Sequence, residues 1–411
     1  MPMWKSNYFL LFPLLVSVIV LGGLPLIKKN FELREARARN ASLPDYGQFV
    51  KFDPKREGGH LRPNLNTAAV GAYAEKPVRF VTNSKGFRNV QEFNYEVPTG
   101  TYRILLLGDS FIDGMRTDQN ETIGAVLEAT LERELSGAPY TDAEVLISGH
   151  NNPSSAAYYL QEHGLKYQPN LVVVAITLGN DLTWHNYRSS VYSTVSDDGE
   201  LVLELARKPQ QTGREQPNLL LPAEAYLPEG RLTDYWSKLE FKLRRVLATN
   251  SSYFEDSVPP ATGPNPSTRG NAYAGDFFTS LGLFYLPLMP EMEAFYEDFE
   301  ELLWVYRRLT LKHKAQLLIV LFPTRFQVSG SDWDSLHRAL RLNPARFDLN
   351  YPNRRLNEFC ETNGIPVLDV TDALSHEPQS VFRPLGDMHL NEQGQKRVGE
   401  ILAQRISEGM S

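Results

Sequence analysis

Residues 103–110 read Arg-Ile-Leu-Leu-Leu-Gly-Asp-Ser (RILLLGDS). An unbroken apolar run that stops abruptly at Gly-Asp-Ser has the pattern of a short strand buried on both faces, with a polar loop at its carboxyl end. Working outward, Asn120 opens an amphipathic stretch in which Ile123, Val126, Leu127, Leu131 and Leu135 recur at helical spacing. A second strand is expected at 144–147, ending in Ser148-Gly149-His150, and a helix at 154–165. A third strand, Leu171–Thr177 (LVVVAIT), ends in Leu178-Gly179-Asn180-Asp181. The pattern resumes near the C-terminus with a helix at 291–314, then the strand Gln316–Phe322 (QLLIVLF) closed by Pro323. A helix at 354–363 and a strand at 366–370 follow. Asn391 then caps a last helix whose buried stripe is Val398, Ile401, Leu402 and Ile406. Five strands of this kind, joined by helices, predict an α/β fold with a parallel sheet covered on both sides.

The rest of the chain departs from this alternation. Residues 186–290 hold ten of the 27 prolines, which is incompatible with continued βα repetition and marks an insertion or lid. Inside it, Leu232, Tyr235, Trp236, Leu239, Leu243, Val246 and Leu247 share one helical face, with Lys238, Lys242, Arg244 and Arg245 mostly elsewhere. That helix reads as packed over the core, with a membrane-surface role as the alternative. Residues 44–100 read as a β-rich extension with turns at Gly58-Gly59 and Lys85-Gly86. The core domain is therefore expected over 101–185 and 291–408.

Residues 8–27 carry no charge. As a helix they would span roughly 30 Å, about one bilayer core, which predicts a retained transmembrane anchor between a tail at 1–7 and a linker at 28–43. A cleaved secretory signal is the rival, but its apolar stretch should be shorter, and Val20-Leu21-Gly22 is a weak cleavage site. Lys5 precedes the segment, whereas Lys28, Lys29, Arg34, Arg37 and Arg39 follow it. Counted literally, those charges put the C-terminal domain in the cytoplasm; long domains are nonetheless translocated against such a bias. An extracytoplasmic, single-pass arrangement is the expectation.

Composition excludes more than it selects. Forty-two Lys and Arg against 49 Asp and Glu leave a net charge of −7 over 411 residues, which argues against a bulk electrostatic partnership with nucleic acid. The single cysteine, Cys360, rules out an intrachain disulfide framework and any cysteine-rich metal site.

Chemistry is expected where the polar clusters gather. In an open parallel sheet, ligands bind beyond the carboxyl ends of the strands, where strand order reverses. Gly108-Asp109-Ser110, Ser148-Gly149-His150 and Gly179-Asn180-Asp181 all follow predicted strands, and Asp387-Met388-His389 lies on the loop before the last helix. These residue types suit acyl transfer. A serine hydroxyl becomes nucleophilic when an imidazole takes its proton, and a carboxylate holds that imidazole in the right tautomer. Ser110 would supply the hydroxyl, His389 the base and Asp387 the brace. The Ser110 and Gly149 backbone N–H groups and the Asn180 amide would serve the developing oxyanion. Asp109 and Asp181 read as supports for the loops. Each residue also has a plainer reading: Ser110 as a helix cap, Asn180-Asp181 as an Asx turn, His389 as an ordinary residue ahead of a helix. His150 and His185 follow strand ends and could reach the pocket.

Taken together, Leu107-Gly108-Asp109-Ser110-Phe111, Gly149, Gly179-Asn180-Asp181 and Asp387-Met388-His389-Leu390-Asn391 resemble the blocks of the SGNH hydrolases, the GDSL-type esterases and lipases. The resemblance spans about residues 78–408 without the insertion. Asn83-Ser84-Lys85-Gly86-Phe87-Arg88 is similar to a segment upstream of these blocks in membrane-anchored members. It implies a three-layer, flavodoxin-like α/β/α fold with a five-stranded parallel sheet. It also implies a serine nucleophile at Ser110, oxyanion donors at Ser110, Gly149 and Asn180, a base at His389 braced by Asp387, and neither metal nor cofactor. Three features depart from the common pattern. Gly386 stands where many members carry the brace, a spacing similar to that of polysaccharide O-acetyltransferases. The third block lacks a residue between Gly179 and Asn180, and Asn152 replaces a second-block glycine.

The function expected is a membrane-anchored serine esterase or O-acyltransferase. Its partners would be the bilayer and an acylated small molecule or polysaccharide, with acetyl esters of carbohydrate preferred through the resemblance to anchored members. Two other classes remain open. A metal-dependent phosphoesterase would use Asp109, Asp181, Asp387 and His389 as ligands, and a catalytically silent assembly subunit would use none of them.

Overall fold

The computed structural model describes residues 50–52, 59–69, 78–114, 117–135, 139–149, 152–182, 191–195, 201–205, 221–222, 225, 280–376, 378–383 and 389–410. Two antiparallel pairs come first, β1 (Val50–Phe52) with β2 (Gly59–Leu61) and β3 (Asn66–Ala69) with β4 (Val78–Val81). The βα alternation then runs β5 (Thr101–Leu107), α1 (Ser110–Asp113), α2 (Ile123–Glu134), β6 (Asp142–Ser148), α3 (Pro153–Glu162) and β7 (Leu171–Thr177). A hairpin of β8 (Val191–Val195) and β9 (Leu201–Leu205) lies inside the region read as an insertion and packs against α3. The C-terminal block holds α4 (Pro290–Lys312), β10 (Gln316–Phe322), α5 (Gly330–Leu340), α6 (Tyr351–Thr362), β11 (Val367–Asp369) and α7 (Glu392–Met410).

The sheet order is β11-β10-β7-β5-β6, with every neighbour parallel. Counted along the chain, the order is 2-1-3-4-5, so it reverses between β5 and β7. All seven residues of β5 and of β7 are buried; β7 is apolar up to its final Thr177, whereas in β5 the buried Arg103 precedes the apolar run 104–107. Alternate residues serve two separate cores. Leu105, Leu107, Val172, Val174, Ile319 and Leu321 face α3, α4 and α6. Ile104, Leu106, Val173, Ala175, Val320 and Phe322 face α2 and α7, whose buried residues include Leu127, Leu131, Val398 and Leu402. The expected parallel five-stranded sheet between two helical layers is thus present.

Local expectations are met with some shifts. Helix α2 is capped by the Thr122 hydroxyl, which accepts from the Ala125 amide at 3.3 Å; Asn120, expected to open that stretch, sits exposed in the 3₁₀ turn Gln119–Glu121. Proximity decides this, because only a residue immediately ahead of the first turn reaches its free N–H groups. Asn391 does cap α7, accepting from the Gly394 amide at 3.0 Å. Leu281, Leu283, Phe284 and Tyr285, in the last part of the region read as an insertion, are buried in the α3–α4 core.

Strand β6 lies at the sheet edge, yet its outer groups are occupied. The Arg88 amide donates to the Ile147 carbonyl at 2.9 Å, the Ile147 amide to Asn89 Oδ1 at 3.0 Å, and Asn89 Nδ2 to the Val145 carbonyl at 2.9 Å. Glu128 Oε2 takes the Val145 amide at 2.7 Å. The Arg88 backbone amide and the Asn89 and Glu128 side chains thus substitute for a neighbouring strand and remove a free pairing edge. No helix among the described residues is long and apolar enough to cross a membrane. The expected anchor at 8–27 and the amphipathic stretch 232–247 lie outside the described residues.

Candidate active site

Because the sheet reverses order between β5 and β7, the loops after these strands diverge and open a crevice at their carboxyl ends. The first carries Asp109 and Ser110, the second Asn180 and Asp181, and Gly149 follows β6 on the other side of β5. Ser110 begins the four-residue helix α1, with Asp109 as its N-cap. Asp109 Oδ1 accepts the Phe111 amide at 2.9 Å, which fixes the turn that presents Ser110.

Ser110 Oγ stands 2.7 Å from His389 Nε2, a hydrogen bond between residues 279 positions apart. Both residues are partly exposed. The imidazole lies over Phe111, with ring centroids 5.4 Å apart. Its backbone is held by a short antiparallel pairing: the Arg383 amide donates to the His389 carbonyl at 3.0 Å and the Asn391 amide to Val381 at 2.9 Å. Asn391 Nδ2 adds a bond to the Ser380 carbonyl at 2.7 Å. Asp387, expected to brace the other ring nitrogen, lies outside the described residues, as do His150 and His185.

Behind the pair sit two carboxyls. Asp109 Oδ2 accepts from Asn180 Nδ2 at 3.4 Å, and Asp181 Oδ2 accepts the Thr177 amide at 2.7 Å. Burial pushes the Asp109 carboxyl up, opposed by the Phe111 amide, the His389 ring and the Asn180 and Thr177 side chains. Burial raises Asp181 well above the usual carboxylate range, and the neighbouring Asp109 raises it further. Two neighbouring buried carboxyls resist a double negative charge, and both are pushed up, Asp181 the further. Asp109 therefore holds the start of α1 through the Phe111 amide and meets the Asn180 side chain on its other oxygen.

Gly149 is required by shape. A Cβ placed there would lie 2.1 Å from Asp113 Oδ1 and 2.6 Å from the Asp113 backbone nitrogen. Asn152 caps α3 by accepting the Ser155 amide at 2.9 Å. Among the described residues no three His, Cys, Asp or Glu side chains form a metal-binding group.

Two buried polar residues near the site were not picked out as functional. Gln395 Nε2 donates to the Phe111 carbonyl at 2.9 Å, while its Oε1 accepts the Ile123 amide at 2.9 Å. One side chain thereby ties α7, which follows His389, to the helix bearing Ser110. Its signal in the sequence is a glutamine on the apolar stripe of Val398, Leu402 and Ile406, three residues ahead of the first. The second is Arg88, within the segment quoted for its resemblance alone; it is fully buried.

No family model and no curated protein matches this chain. Similar solved structures include a lipase/acylhydrolase from Enterococcus faecalis, 11% identical over 75% of this chain and 96% of that one, with a TM-score of 0.34. A catalytic mutant of an acetylxylan esterase from Geobacillus stearothermophilus is 11% identical over 74% and 94%, with a TM-score of 0.36. A GDSL-like lipase from Bacteroides thetaiotaomicron is 9% identical over 75% and 89%, with a TM-score of 0.27. At these identities and TM-scores the activity is argued from Ser110 and His389 themselves.

Proposed function

We propose that this chain is an SGNH-type serine esterase or O-acyltransferase that works through an acyl-enzyme on Ser110. The observation that carries the reading is the 2.7 Å contact between Ser110 Oγ and His389 Nε2 at the sheet's switch point. With Nδ1 protonated, Nε2 takes the hydroxyl proton as Oγ attacks an ester carbonyl, and the C–O double bond opens to an oxyanion. The Ser110 and Gly149 amides and the second N–H of the Asn180 amide are its donors. Collapse breaks the bond to the alcohol, which leaves with the proton returned by His389. Water or a second alcohol then attacks the acyl-enzyme with His389 again as base, regenerating Ser110. Hydrolysis and transfer share the first half and differ in which hydroxyl enters.

The substrate class we favour is an acetyl or related O-acyl ester of carbohydrate, supported by the resemblance of the Asn83–Arg88 segment and of the Asp387–His389 spacing to anchored, polysaccharide-modifying members. The same resemblance and the uncharged stretch at 8–27 support a single-pass protein with its catalytic domain outside the cytoplasm. Reporter fusions after Ser411 test that topology. The activity is tested by intact mass spectrometry after treatment with a fluorophosphonate. One phosphonyl adduct is expected on the full-length protein, with none on Ser110→Ala and strongly slowed labelling of His389→Ala. Labelling that survives Ser110→Ala, or none on the wild type, refutes the proposal.

A further inference from the structure

Arginine is among the residues least often buried completely, and a charge held away from water needs compensating partners. Arg88 has no exposed surface and precedes the core domain in a loop. Its guanidinium stacks on the Phe80 ring, 3.7 Å from the centroid. Nε donates to the Asp113 carbonyl at 3.0 Å and Nη2 to the Thr117 carbonyl at 3.0 Å. Nη1 donates to Gln119 Oε1, and Gln119 Nε2 donates back to the Arg88 carbonyl at 2.8 Å. Its own amide holds the Ile147 carbonyl at 2.9 Å.

These partners are not a random set. Asp113 is the last residue of α1, the single turn that begins with Ser110. Ile147 lies two residues before Gly149, and Gly149 in turn touches Asp113. One residue therefore grips both the turn that carries the nucleophile and the strand end that carries the second expected oxyanion donor. A helix of four residues has no internal hydrogen bonds to spare, and its last carbonyls need outside donors. The planar fork of an arginine serves two carbonyls at fixed spacing, which an ammonium does not.

We propose that Arg88 is a positioning residue for this site: it clamps the end of the Ser110 turn against the end of β6 and so sets the spacing between the Ser110 hydroxyl and the Gly149 N–H. The proposal rests on the reading of Ser110 as nucleophile. Phosphonylation reports the geometry directly, because the probe's oxygen occupies the oxyanion site as Oγ attacks phosphorus and displaces fluoride, whose departure balances the transferred proton.

The test measures the second-order rate constant of fluorophosphonate labelling on the full-length protein in mild detergent. Wild type, Arg88→Gln, Arg88→Lys and Arg103→Gln are compared, with Tm recorded for each. Arg103 is the matched control: it too is fully buried, but it binds the carbonyls of Asn94, Tyr95 and Tyr167 and the Glu144 carboxylate near the opposite end of β5. Arg88→Gln should label about 10–100-fold more slowly than wild type, the loss expected when a reacting group shifts by roughly 1 Å. Arg88→Lys should fall between the two, and Arg103→Gln should label within about twofold of wild type despite a lower Tm. Equal rates for wild type and Arg88→Gln overturn the proposal, as does an equal slowing in Arg103→Gln, which would mark a general stability effect. If Arg88→Gln does not fold, Arg88→Lys and Gln119→Leu carry the test, and wild-type rates in both overturn it. A wild type that does not label at all removes the esterase reading and this proposal with it, whereas a labelled wild type beside an unaffected Arg88→Gln removes the proposal alone.

Discussion

Adding a single methyl group at Gly149 tests the geometry of the site more sharply than removing a catalytic group. In Gly149→Ala the new Cβ would stand 2.1 Å from Asp113 Oδ1, 2.5 Å from its Cγ and 2.6 Å from its backbone nitrogen. The carboxylate can swing aside, but the nitrogen belongs to the last residue of α1. Restoring ordinary contact of about 3.4 Å requires α1 and the end of β6 to separate by about 0.8 Å, the difference between that distance and 2.6 Å. Overpacking of this kind costs about 1–3 kcal/mol of stability. A displacement approaching 1 Å between nucleophile and oxyanion donor costs on the order of 10²-fold in rate. The assay pairs thermal unfolding with kcat and KM for p-nitrophenyl acetate; with the Gly149 amide in its proposed role as oxyanion donor, kcat should fall and KM change little, because such a donor acts on the transition state. Gly149→Ala in an Asp113→Ala background should recover only part of the loss, since the backbone contact remains. A Gly149→Ala protein with wild-type Tm and kcat would refute the reasoning outright.

Asn180→Ala removes an amide held by Asp109 and should lower kcat about 10²–10³-fold with KM nearly unchanged; an unaltered kcat would show that the oxyanion is served elsewhere. Glu128 gives a pH test remote from the chemistry. Burial pushes its carboxyl from 4.5 up to about 7, so the folded state binds a proton more tightly than the unfolded one. Its stabilising contribution is therefore complete below about pH 4.5 and is lost as pH rises through about 7. Glu128→Gln keeps an acceptor for the Val145 amide and cannot ionise, so it should exceed wild type in stability at pH 8 by up to about 3 kcal/mol and gain little at pH 5. Unfolding in denaturant at the two pH values checks this, and a pH-independent difference would count against it.

Much of the core was legible in order of appearance. Leu171–Thr177 and Gln316–Phe322 occupy the spans their apolar runs mark, because a strand buried on both faces leaves no polar position to blur its ends. Gly108-Asp109-Ser110 was legible for a similar reason: a polar tripeptide directly after such a run has to emerge at the sheet's edge. Helix α5 was not read, although it is amphipathic and capped by Ser329, whose hydroxyl accepts from the Asp332 amide at 3.3 Å. It lies between β10 and β11, and its Gly330, Ser331 and Asp332 start reads as a continuation of the loop opened by Pro323. Arg88 was read only as part of a motif, since a charged side chain in a loop looks like surface until its carbonyl partners, 25 and 29 residues away, are in place.

By itself the chain determined its periodicities, the residues at each strand end and the supply of a hydroxyl, an imidazole and amide donors, all of which depend on neighbours within a turn or two. Tertiary structure decided which ends adjoin. The 2-1-3-4-5 strand order, the two cores that enforce it and the pairing around His389 bring the imidazole onto Ser110 across 279 residues. The physical reason is that strand order and crossover are chosen by burying both faces of the sheet at once, a condition on the whole chain that no local window contains.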